Sequence, residues 1–199
     1  MARPKLRTAE LRERVLTAAL ATLTERGVGG LTARGVAQEA ATSVPAVYEL
    51  FGDKAGVVRA IFFAGFFRLG DALDGVPETS DPRRDLVASV AAFRAFARAE
   101  PALTHVMFGR PFADFDPAAE DRAAGAAVRG HLVRRVRRVM GASRNDADVT
   151  DAAHVVLALA QGLAVQESAG WLGTSAASVE RRWRLGIEGV LDGLTPSPR

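Results

Sequence analysis

The feature that most constrains this chain is the segment of residues 31–54, which reads LTARGVAQEAATSVPAVYELFGDK. It predicts two short helices separated by a tight turn. Thr32 can cap the first helix, because its side-chain oxygen can accept a hydrogen bond from the N–H groups of the first turn. Ser43 can cap the second, which carries Pro45 in its first turn, where no N–H is needed. Two small helices packed in this way form a helix-turn-helix, whose second helix lies in a DNA major groove.

The apolar residues of both helices recur at helical spacing. They are Leu31, Val36, Ala37 and Ala40 in the first helix, and Val47, Leu50 and Phe51 in the second. Each helix therefore has one side to bury, and a third helix is predicted to begin at Lys54.

This segment resembles the DNA-binding domain of the tetracycline-repressor (TetR) family of bacterial transcription regulators. The family pattern fixes a threonine, an aliphatic–Ala pair, a small-residue turn, an aliphatic–Tyr pair and a final Phe and Lys. The matching residues here are Thr32, Val36, Ala37, Ala40, Ser43, Pro45, Ala46, Val47, Tyr48, Phe51 and Lys54. The resemblance covers roughly the first third of the chain well, and the remainder is similar only in length and helical character. It implies a sequence-specific DNA-binding regulator, most often a repressor.

Three positions depart from the family pattern. Ala41 and Thr42 stand where Gly-Val is usual, so the turn must form without a residue that favours positive φ. Leu50 replaces the usual His or Tyr, which implies one polar phosphate contact fewer. Gly35 lies inside the first helix of the pair and should cost about 1 kcal/mol relative to alanine.

The resemblance also implies roles for individual side chains. Thr32 and Tyr48 are expected to donate hydroxyls to phosphates, and Lys54 to bring charge and a helix N-terminus to another phosphate. Arg34 can reach a guanine edge or a phosphate. The leading end of the second helix holds Ser43, Val44, Pro45 and Ala46. Because most of this set is apolar, base readout there would depend on thymine methyl groups and DNA shape. An ordinary half-buried ring is the alternative for Tyr48.

Charge adds a weaker signal. The net charge is +3, and residues 1–54 hold eight Lys and Arg against six Asp and Glu. Arg3, Lys5 and Arg7 lie within the first seven residues. We expect residues 1–7 to form a basic arm ahead of the first helix, able to reach phosphates or an adjacent minor groove. A solvated terminus is the alternative, and the neighbouring motif favours the DNA contact.

Composition favours a cytoplasmic protein with no membrane partner. The chain has no cysteine, which suits a reducing compartment, and no signal peptide is visible near Met1. Its longest apolar stretch, residues 155–165, is too short to span a bilayer and contains Gln161, so it is interpreted as a buried helix.

The sequence does not favour an enzyme, and no cofactor or metal is expected. It contains no phosphate-binding GxxxxGKS/T, no GxSxG and no HExxH motif. A helical enzyme or metal-binding protein remains as the lesser alternative.

The pattern predicts an all-α protein in which residues 1–54 form a three-helix DNA-binding head and residues 55–199 a larger helical ligand-binding and dimerisation bundle. Helices are expected at about residues 8–26, 54–73, 82–100, 118–140, 146–168 and 175–194, with a short helix beginning at Pro101. An irregular aromatic loop follows at 109–117, and a frayed tail after 194.

A ligand pocket is predicted in the bundle. Candidate lining residues are Phe63, Phe66, Phe67, Phe93, Phe96, Met107, Phe108, Phe112 and Trp171, with His105, His154, Gln161 and Gln166 to orient the ligand. The mostly apolar set suggests a lipophilic or aromatic effector. Simple core packing is the alternative for each residue.

The last two helices are predicted to form a homodimer interface around a two-fold axis. The proposed residues are Gly162, Val179, Trp183, Gly186, Ile187, Gly189, Val190, Leu191 and Leu194. Such symmetry implies a palindromic operator with half-sites one or two DNA turns apart, whereas an intrachain core is the alternative. Arg134, Arg137 and Arg138 are predicted to form a solvated cationic face near a helix C-terminus.

These features predict a repressor that a small-molecule effector releases from its operator by a population shift, with the helix from Lys54 as the lever. A constitutive repressor, in which the bundle only dimerises, is the rival hypothesis.

Overall fold

A computed structural model of the protein describes the backbone of residues 3–109 and 119–194, and the side chains of residues 8–109 and 125–194. Every regular element in this part of the chain is a helix, which confirms the all-α fold class. The helices are α1 (Arg3–Gly30), α2 (Ala33–Glu39), α3 (Val44–Phe51), α4 (Lys54–Asp74), α5 (Pro82–Ala99), α6 (Pro101–Phe108), α7 (Ala119–Met140), α8 (Asp146–Ser168) and α9 (Ala176–Leu194).

The start of α1 corrects one prediction. The helix begins at Arg3, so residues 3–7 form its first turns and not an extended arm ahead of it. Pro4 near the helix start and the good helix former Lys5 account for the earlier beginning. The side chains of Arg3, Lys5 and Arg7 lie outside the described side chains. At the other end the regular helix stops where predicted, because Gly27 adopts a φ of 66°.

Two compact units divide the chain. The first, called the head, comprises Met1–Phe67 and Glu100–Ala124; the second, called the body, comprises Arg68–Ala99 and Gly125–Arg199. The division falls within α4, whereas the sequence placed the boundary at residue 54. The head therefore also contains α6. The predicted loop at 110–117 and the tail after 194 lie outside the described residues.

The head is held together by one face of α1. Val15, Ala19 and Leu23 follow each other at four-residue spacing and are fully or almost fully buried. α1 packs on α2 and α6, and α2 packs on α3. Further buried residues of this core include Leu31, Val36, Val47, Val58, Ile61, Leu103 and Val106. Burying each such side chain contributes roughly 1.5–3 kcal/mol.

In the body, α8 packs against both α5 and α9. Its core includes Leu69, Leu86, Phe93, Val136, Val149, Val156, Trp183, Ile187 and Leu191. Among the described helices, α8 alone is long and apolar enough to cross a membrane by length and composition. A core helix can pass the same test, and α8 buries Val149, Ala153, Val156 and Ala160 within the body.

Two arginines of α7 hold the connection between α4 and α5. Arg135 is only 2 % exposed. Its guanidinium donates to the carbonyl oxygens of Val76, at 2.5 Å, and Pro77, at 2.9 Å. A guanidinium suits this position because it presents several donors in one plane.

Arg138 binds the same region through a buried carboxylate. It donates to Asp85 Oδ2 at 2.6 Å, and Asp85 also accepts from the backbone N–H and the hydroxyl of Thr79. Burial raises the pKa of Asp85, but these hydrogen bonds outweigh it and bring the pKa to about 2. The predicted solvated cationic face is therefore wrong for Arg138, since the position of its acidic partner 53 residues earlier in the chain was not evident from the sequence.

Candidate nucleic-acid interface

The first helix of the motif, α2, has the predicted cap. Thr32 Oγ1 accepts a hydrogen bond from the N–H of Gly35 at 3.1 Å, and Val36 and Ala37 are buried. The hydroxyl hydrogen of Thr32 is not used by this cap, so it stays free to donate elsewhere. Thr32 and Arg34 both have exposed side chains at the start of α2.

The turn after α2 forms with alanine in the left-handed region. Ala41 has a φ of 49°. The N–H of Thr42 bonds to the carbonyl of Ala37 at 2.9 Å, and the N–H of Ala41 to that of Gln38 at 3.2 Å. This pair of bonds defines a Schellman motif, whose left-handed position is usually glycine. The turn thus forms both hydrogen bonds of this motif without a glycine.

The second helix, α3, presents one side to solvent. Ser43 Oγ accepts from the N–H of Ala46 at 3.3 Å, which confirms the predicted cap. Val47 and Phe51 are buried beneath the helix, whereas Tyr48 is 46 % exposed. The leading residues are also accessible: Ser43 and Pro45 are exposed, and Val44 and Ala46 are half-buried. Leu50, predicted to be buried, is only half-buried.

The corner between α3 and α4 is tight. Asp53 Oδ1 accepts from the N–H of Gly56 at 2.8 Å and so caps α4. A methyl group at Gly56 would overlap the carbonyl oxygen of Phe51. Lys54 is therefore fixed as the first residue of α4, with an exposed side chain beside a helix N-terminus.

Sequence reasoning missed Arg12, which links α1 to α3. Its guanidinium carbon lies 4.5 Å from the centre of the Phe51 ring, and its Nη1 donates to the carbonyl oxygen of Leu50 at 2.9 Å. No sequence signal identifies this contact, because the partners lie 38 residues apart.

The predicted pocket residues do not converge on one described cavity. In the head, Phe66 packs against Phe62 and Phe108, with ring centres 4.8 and 5.6 Å apart. Met107 is buried there, Phe63 is half-buried and His105 is exposed. These aromatic contacts pack the core of the head and do not line a pocket in the body.

Five of the predicted pocket residues lie at the surface, His105 among them, which corrects the prediction for them. Phe67 is 73 % and Trp171 77 % exposed, and the side chains of His154 and Gln166 are exposed as well. Apolar periodicity could not show which side of each helix the rest of the chain covers. Gln161 is half-buried, Phe96 is buried, and Phe112 lies outside the described residues.

The body contains one small apolar cavity that includes a predicted residue, Phe93. Its volume is about 40 Å³. The other lining residues are Leu69, Leu73, Ser89, Val90, Val128, His131, Leu132, Val156, Leu157 and Ala160. This volume is well below the roughly 300 Å³ of a drug-sized site.

A wider groove lies on the body between α5 and α9. Its volume is about 370 Å³. The groove is lined by Val87, Val90, Ala91, Arg94, Ala95, Arg98, Glu180, Trp183, Arg184, Ile187 and Glu188.

Ser89, His131 and Asp74 lie near one another and are the residue types of a hydrolase triad, but they do not have its geometry. Ser89 Oγ lies 3.3 Å from His131 Nε2, yet the Ser89 hydroxyl donates to the carbonyl of Asp85. His131 Nδ1 is 3.8 Å from Asp74, too far for a hydrogen bond. Ser89 is also buried in the middle of α5, where backbone N–H groups are used within the helix and cannot form an oxyanion hole.

His131 is a buried histidine with a lowered pKa. Burial lowers its pKa, and the positive charges of Arg135 and Arg134 lower it further. Its Nδ1 has no hydrogen-bond partner among the described residues. Within the described part of the chain, no group of three or more His, Asp or Glu side chains is arranged to hold a metal ion.

Several residues predicted at the dimer interface are core residues of the body. Trp183, Ile187 and Leu191 are buried, and Gly186 faces Leu159 and Leu163 of α8. The intrachain alternative is therefore correct for them. The protomer itself covers only part of the apolar stripe of α9, because Val179, Val190 and Leu194 are half-buried.

Trp183 belongs to a polar cluster inside the body. Its Nε1 donates to Glu167 Oε2 at 2.7 Å, and Arg94 binds the same carboxylate with two nitrogens at 2.9 and 3.0 Å. Arg94 also donates to Glu180 at 2.5 Å. The hydrogen bond to Glu167 raises the pKa of Arg94. Burial raises the pKa of Glu167, but the hydrogen bonds from Arg94 and Trp183 outweigh burial and lower this pKa overall. The cluster joins α5, α8 and α9.

A capped helix-turn-helix with an accessible second helix, followed by a helical body, defines a DNA-binding transcription regulator. Two family descriptions match the sequence: "Bacterial regulatory proteins, tetR family" at residues 15–61 and "Tetracyclin repressor-like, C-terminal domain" at residues 86–190. The chain belongs to the tetR family, which confirms the resemblance found in residues 31–54.

Solved structures share the fold. A protein with unknown function from Rhodococcus sp. RHA1 is 30 % identical, with a TM-score of 0.78, over 92 % of this chain and 94 % of that one. The TetR family regulator PfmR from Thermus thermophilus is 19 % identical, with a TM-score of 0.66, over 90 % and 97 %. A variant of TetR from Acinetobacter baumannii AYE, in complex with minocycline, is 19 % identical, with a TM-score of 0.64, over 90 % and 93 %. No curated protein matches the sequence significantly.

Proposed function

We propose that this regulator binds a palindromic operator through α3 and that its body couples operator binding to a small apolar effector. The observation that carries the DNA-binding part is the geometry of α3: both ends are capped, and Tyr48 and the leading residues from Ser43 to Ala46 are accessible. Apolar Val44, Pro45 and Ala46 suit thymine methyl groups and DNA shape better than hydrogen-bonded readout.

The phosphate contacts come from residues around the motif. Thr32 and Tyr48 donate hydroxyls, and Lys54 supplies a charge at the N-terminus of α4. Arg34 reads a base edge. The N-terminal cations Arg3, Lys5 and Arg7, carried on the first turns of α1, approach further phosphates.

The test begins with selection of bound duplexes from a random-sequence pool by the full-length protein. Tyr48→Phe should then weaken binding to all duplexes alike, because it removes a phosphate contact. Arg34→Ala should relax base preference at one position, with a loss of about 1–3 kcal/mol on the selected duplex. Wild-type protein that enriches no sequence would refute the proposal, and unchanged affinity in either variant would remove that residue's role.

A homodimer forms in this proposal through the outer sides of α8 and α9. Val155 and Val165 of α8, and Leu185 of α9, are more than half exposed. Gly162 and Gly189 have open space around them, which permits close approach of a second helix. Val179, Val190 and Leu194 are half-buried at the flanks of α9. This surface replaces Trp183, Gly186 and Ile187 of the sequence prediction.

Val165→Arg tests the dimer. A charge in an apolar interface loses its water without gaining a partner, so we expect monomers in sedimentation analysis and loss of cooperative operator binding. Val87→Arg, at an exposed valine of α5 outside this surface, is the matched control. A dimer unchanged by Val165→Arg and by Leu185→Glu would exclude this surface.

The effector site is proposed at the small cavity of the body, which must expand to accept a ligand. α4 supports the coupling, because the helix that begins at Lys54 also supplies Leu69 and Leu73 to the cavity wall. The apolar lining favours a lipophilic or aromatic compound. The bound minocycline belongs to the TetR structure alone; its relevance here is that a protein of similar fold binds an aromatic small molecule.

Ala160→Val fills the cavity and separates this hypothesis from its rival. A panel of neutral aromatic and acyl compounds is screened for loss of operator binding, and the variant should abolish any response while still binding DNA. The small cavity volume favours the second candidate, a constitutive repressor. For that protein, no compound lowers operator affinity.

A further inference from the structure

The orientation of the eight-residue helix α3 depends on contacts with other helices. A helix of two turns is unstable in isolation and depends on tertiary contacts. Its N-terminal end is fixed by the Ser43 cap and by packing on α2. Its C-terminal end leaves carbonyl oxygens that need donors from elsewhere. Tyr48 O accepts a hydrogen bond from the N–H of Gly52 at 2.7 Å. The carbonyl oxygen of Leu50 instead accepts from a side chain outside α3.

Arg12 provides that partner with a single side chain. Its Nη1 donates to the Leu50 carbonyl at 2.9 Å while the guanidinium lies over the Phe51 ring at 4.5 Å. A positive charge at a helix C-terminus is favourable because it faces the negative end of the helix dipole. The cation–π contact adds to this attraction. One residue of α1 thus binds two consecutive residues at the end of α3.

We propose that Arg12 is a positioning residue for base recognition: it sets the angle at which α3 enters the major groove. This inference rests on the proposed role of α3 in operator binding. Base edges are read by side chains whose placement depends on the helix axis, whereas most nonspecific affinity comes from phosphate contacts. Thr32, which caps the start of α2, does not depend on the end of α3. Loss of Arg12 therefore reduces discrimination between sequences more than it reduces general DNA affinity.

The experiment compares Arg12→Met and Arg12→Lys with the wild-type protein. Arg14→Met is the matched control, because Arg14 is an exposed arginine of the same helix without a polar partner among the described residues. Dissociation constants are measured by fluorescence anisotropy for the duplex selected by wild-type protein and for a scrambled duplex of equal composition. Measurements cover several salt concentrations, at a temperature well below the Tm of every variant.

We expect Arg12→Met to weaken binding to the selected duplex roughly tenfold, the loss that one charge-assisted hydrogen bond can cause. Binding to the scrambled duplex should change less than about twofold, with the same salt dependence as in Arg14→Met. Arg12→Lys should restore part of the discrimination, because an ammonium can still donate to Leu50 but cannot stack in the same way.

Two results would overturn the inference. Equal losses on both duplexes, with a salt slope smaller by about 0.9, would make Arg12 a phosphate contact. A lower Tm with unchanged discrimination would make its role purely structural. If wild-type protein selects no duplex, the proposed function itself fails and this inference with it. If wild-type protein selects a duplex and Arg12→Met discriminates equally well, only the role of Arg12 fails.

Discussion

Replacing Ala41 with glycine should stabilise the head, although the same substitution weakens an ordinary helix. Ala41 adopts a φ of 49° at the left-handed position of the Schellman motif that ends α2. An L-residue there is strained by about 1–2 kcal/mol, because its Cβ approaches a carbonyl oxygen. Glycine has no Cβ and avoids this strain.

The expected gain is smaller than the strain itself. Glycine makes the unfolded chain more flexible, which offsets about 0.4–1 kcal/mol of the benefit. The net stabilisation is therefore about 0.5–1 kcal/mol. At an exposed position inside a helix, such as Ala91 in α5, the strain term is absent. Ala91→Gly should accordingly destabilise the protein by about 1 kcal/mol.

Hydrogen–deuterium exchange read by mass spectrometry can measure both changes locally. Ala41→Gly should slow exchange of the α2 and α3 amides about two- to fivefold, if exchange follows the opening equilibrium. Ala91→Gly should accelerate exchange in α5. Faster exchange in α2 and α3 of the Ala41→Gly protein would refute the assignment of strain to this turn.

Three further outcomes follow from particular contacts. Gly56→Ala should lower affinity for the selected duplex roughly tenfold, since the new methyl group displaces the start of α4 from the Phe51 carbonyl; anisotropy measures this. Glu167→Gln should lower the free energy of unfolding in urea by roughly 1–2 kcal/mol, because it weakens a largely buried bidentate pair. Glu180→Gln, at an exposed pair, should cost under about 1 kcal/mol. The pKa of Asp85 falls from 3.8 to about 2 on folding, so the stability it contributes is complete above pH 4 and disappears as the pH falls through 2. Asp85→Asn should flatten the unfolding free energy over that pH range.

The features that sequence reasoning found correctly depend on neighbours in the chain. The caps at Thr32 and Ser43 need a residue three positions later, and the apolar spacing of α5 needs only one turn of helix. The end of α1 follows from Gly27 alone. Even the family resemblance is local, since one segment of the head carries it. Such signals fix the type and position of helices without any knowledge of how they pack.

Features missed by the sequence depend on residues far apart. Arg94 binds Glu167, which lies 73 residues away in the chain, and Arg138 binds Asp85, which lies 53 residues away. The apolar stripe of α9 was visible, but whether α8 of the same chain or a second chain covers Trp183 was not. Amphipathic spacing indicates that a face is buried and leaves its partner undetermined.

The distribution of indole and phenol rings gives the molecule separate optical probes. Both tryptophans lie in the body, and the single tyrosine, Tyr48, lies in the head. Trp183 is enclosed with its N–H bound to a carboxylate, whereas Trp171 faces water. Excitation at the red edge of the absorption band selects the two tryptophans, so their fluorescence reports on folding of the body alone. The short-wavelength part of this emission comes from Trp183 and shows when the α5–α8–α9 core forms around it. The long-wavelength part comes from Trp171 and reports on any surface that covers this ring.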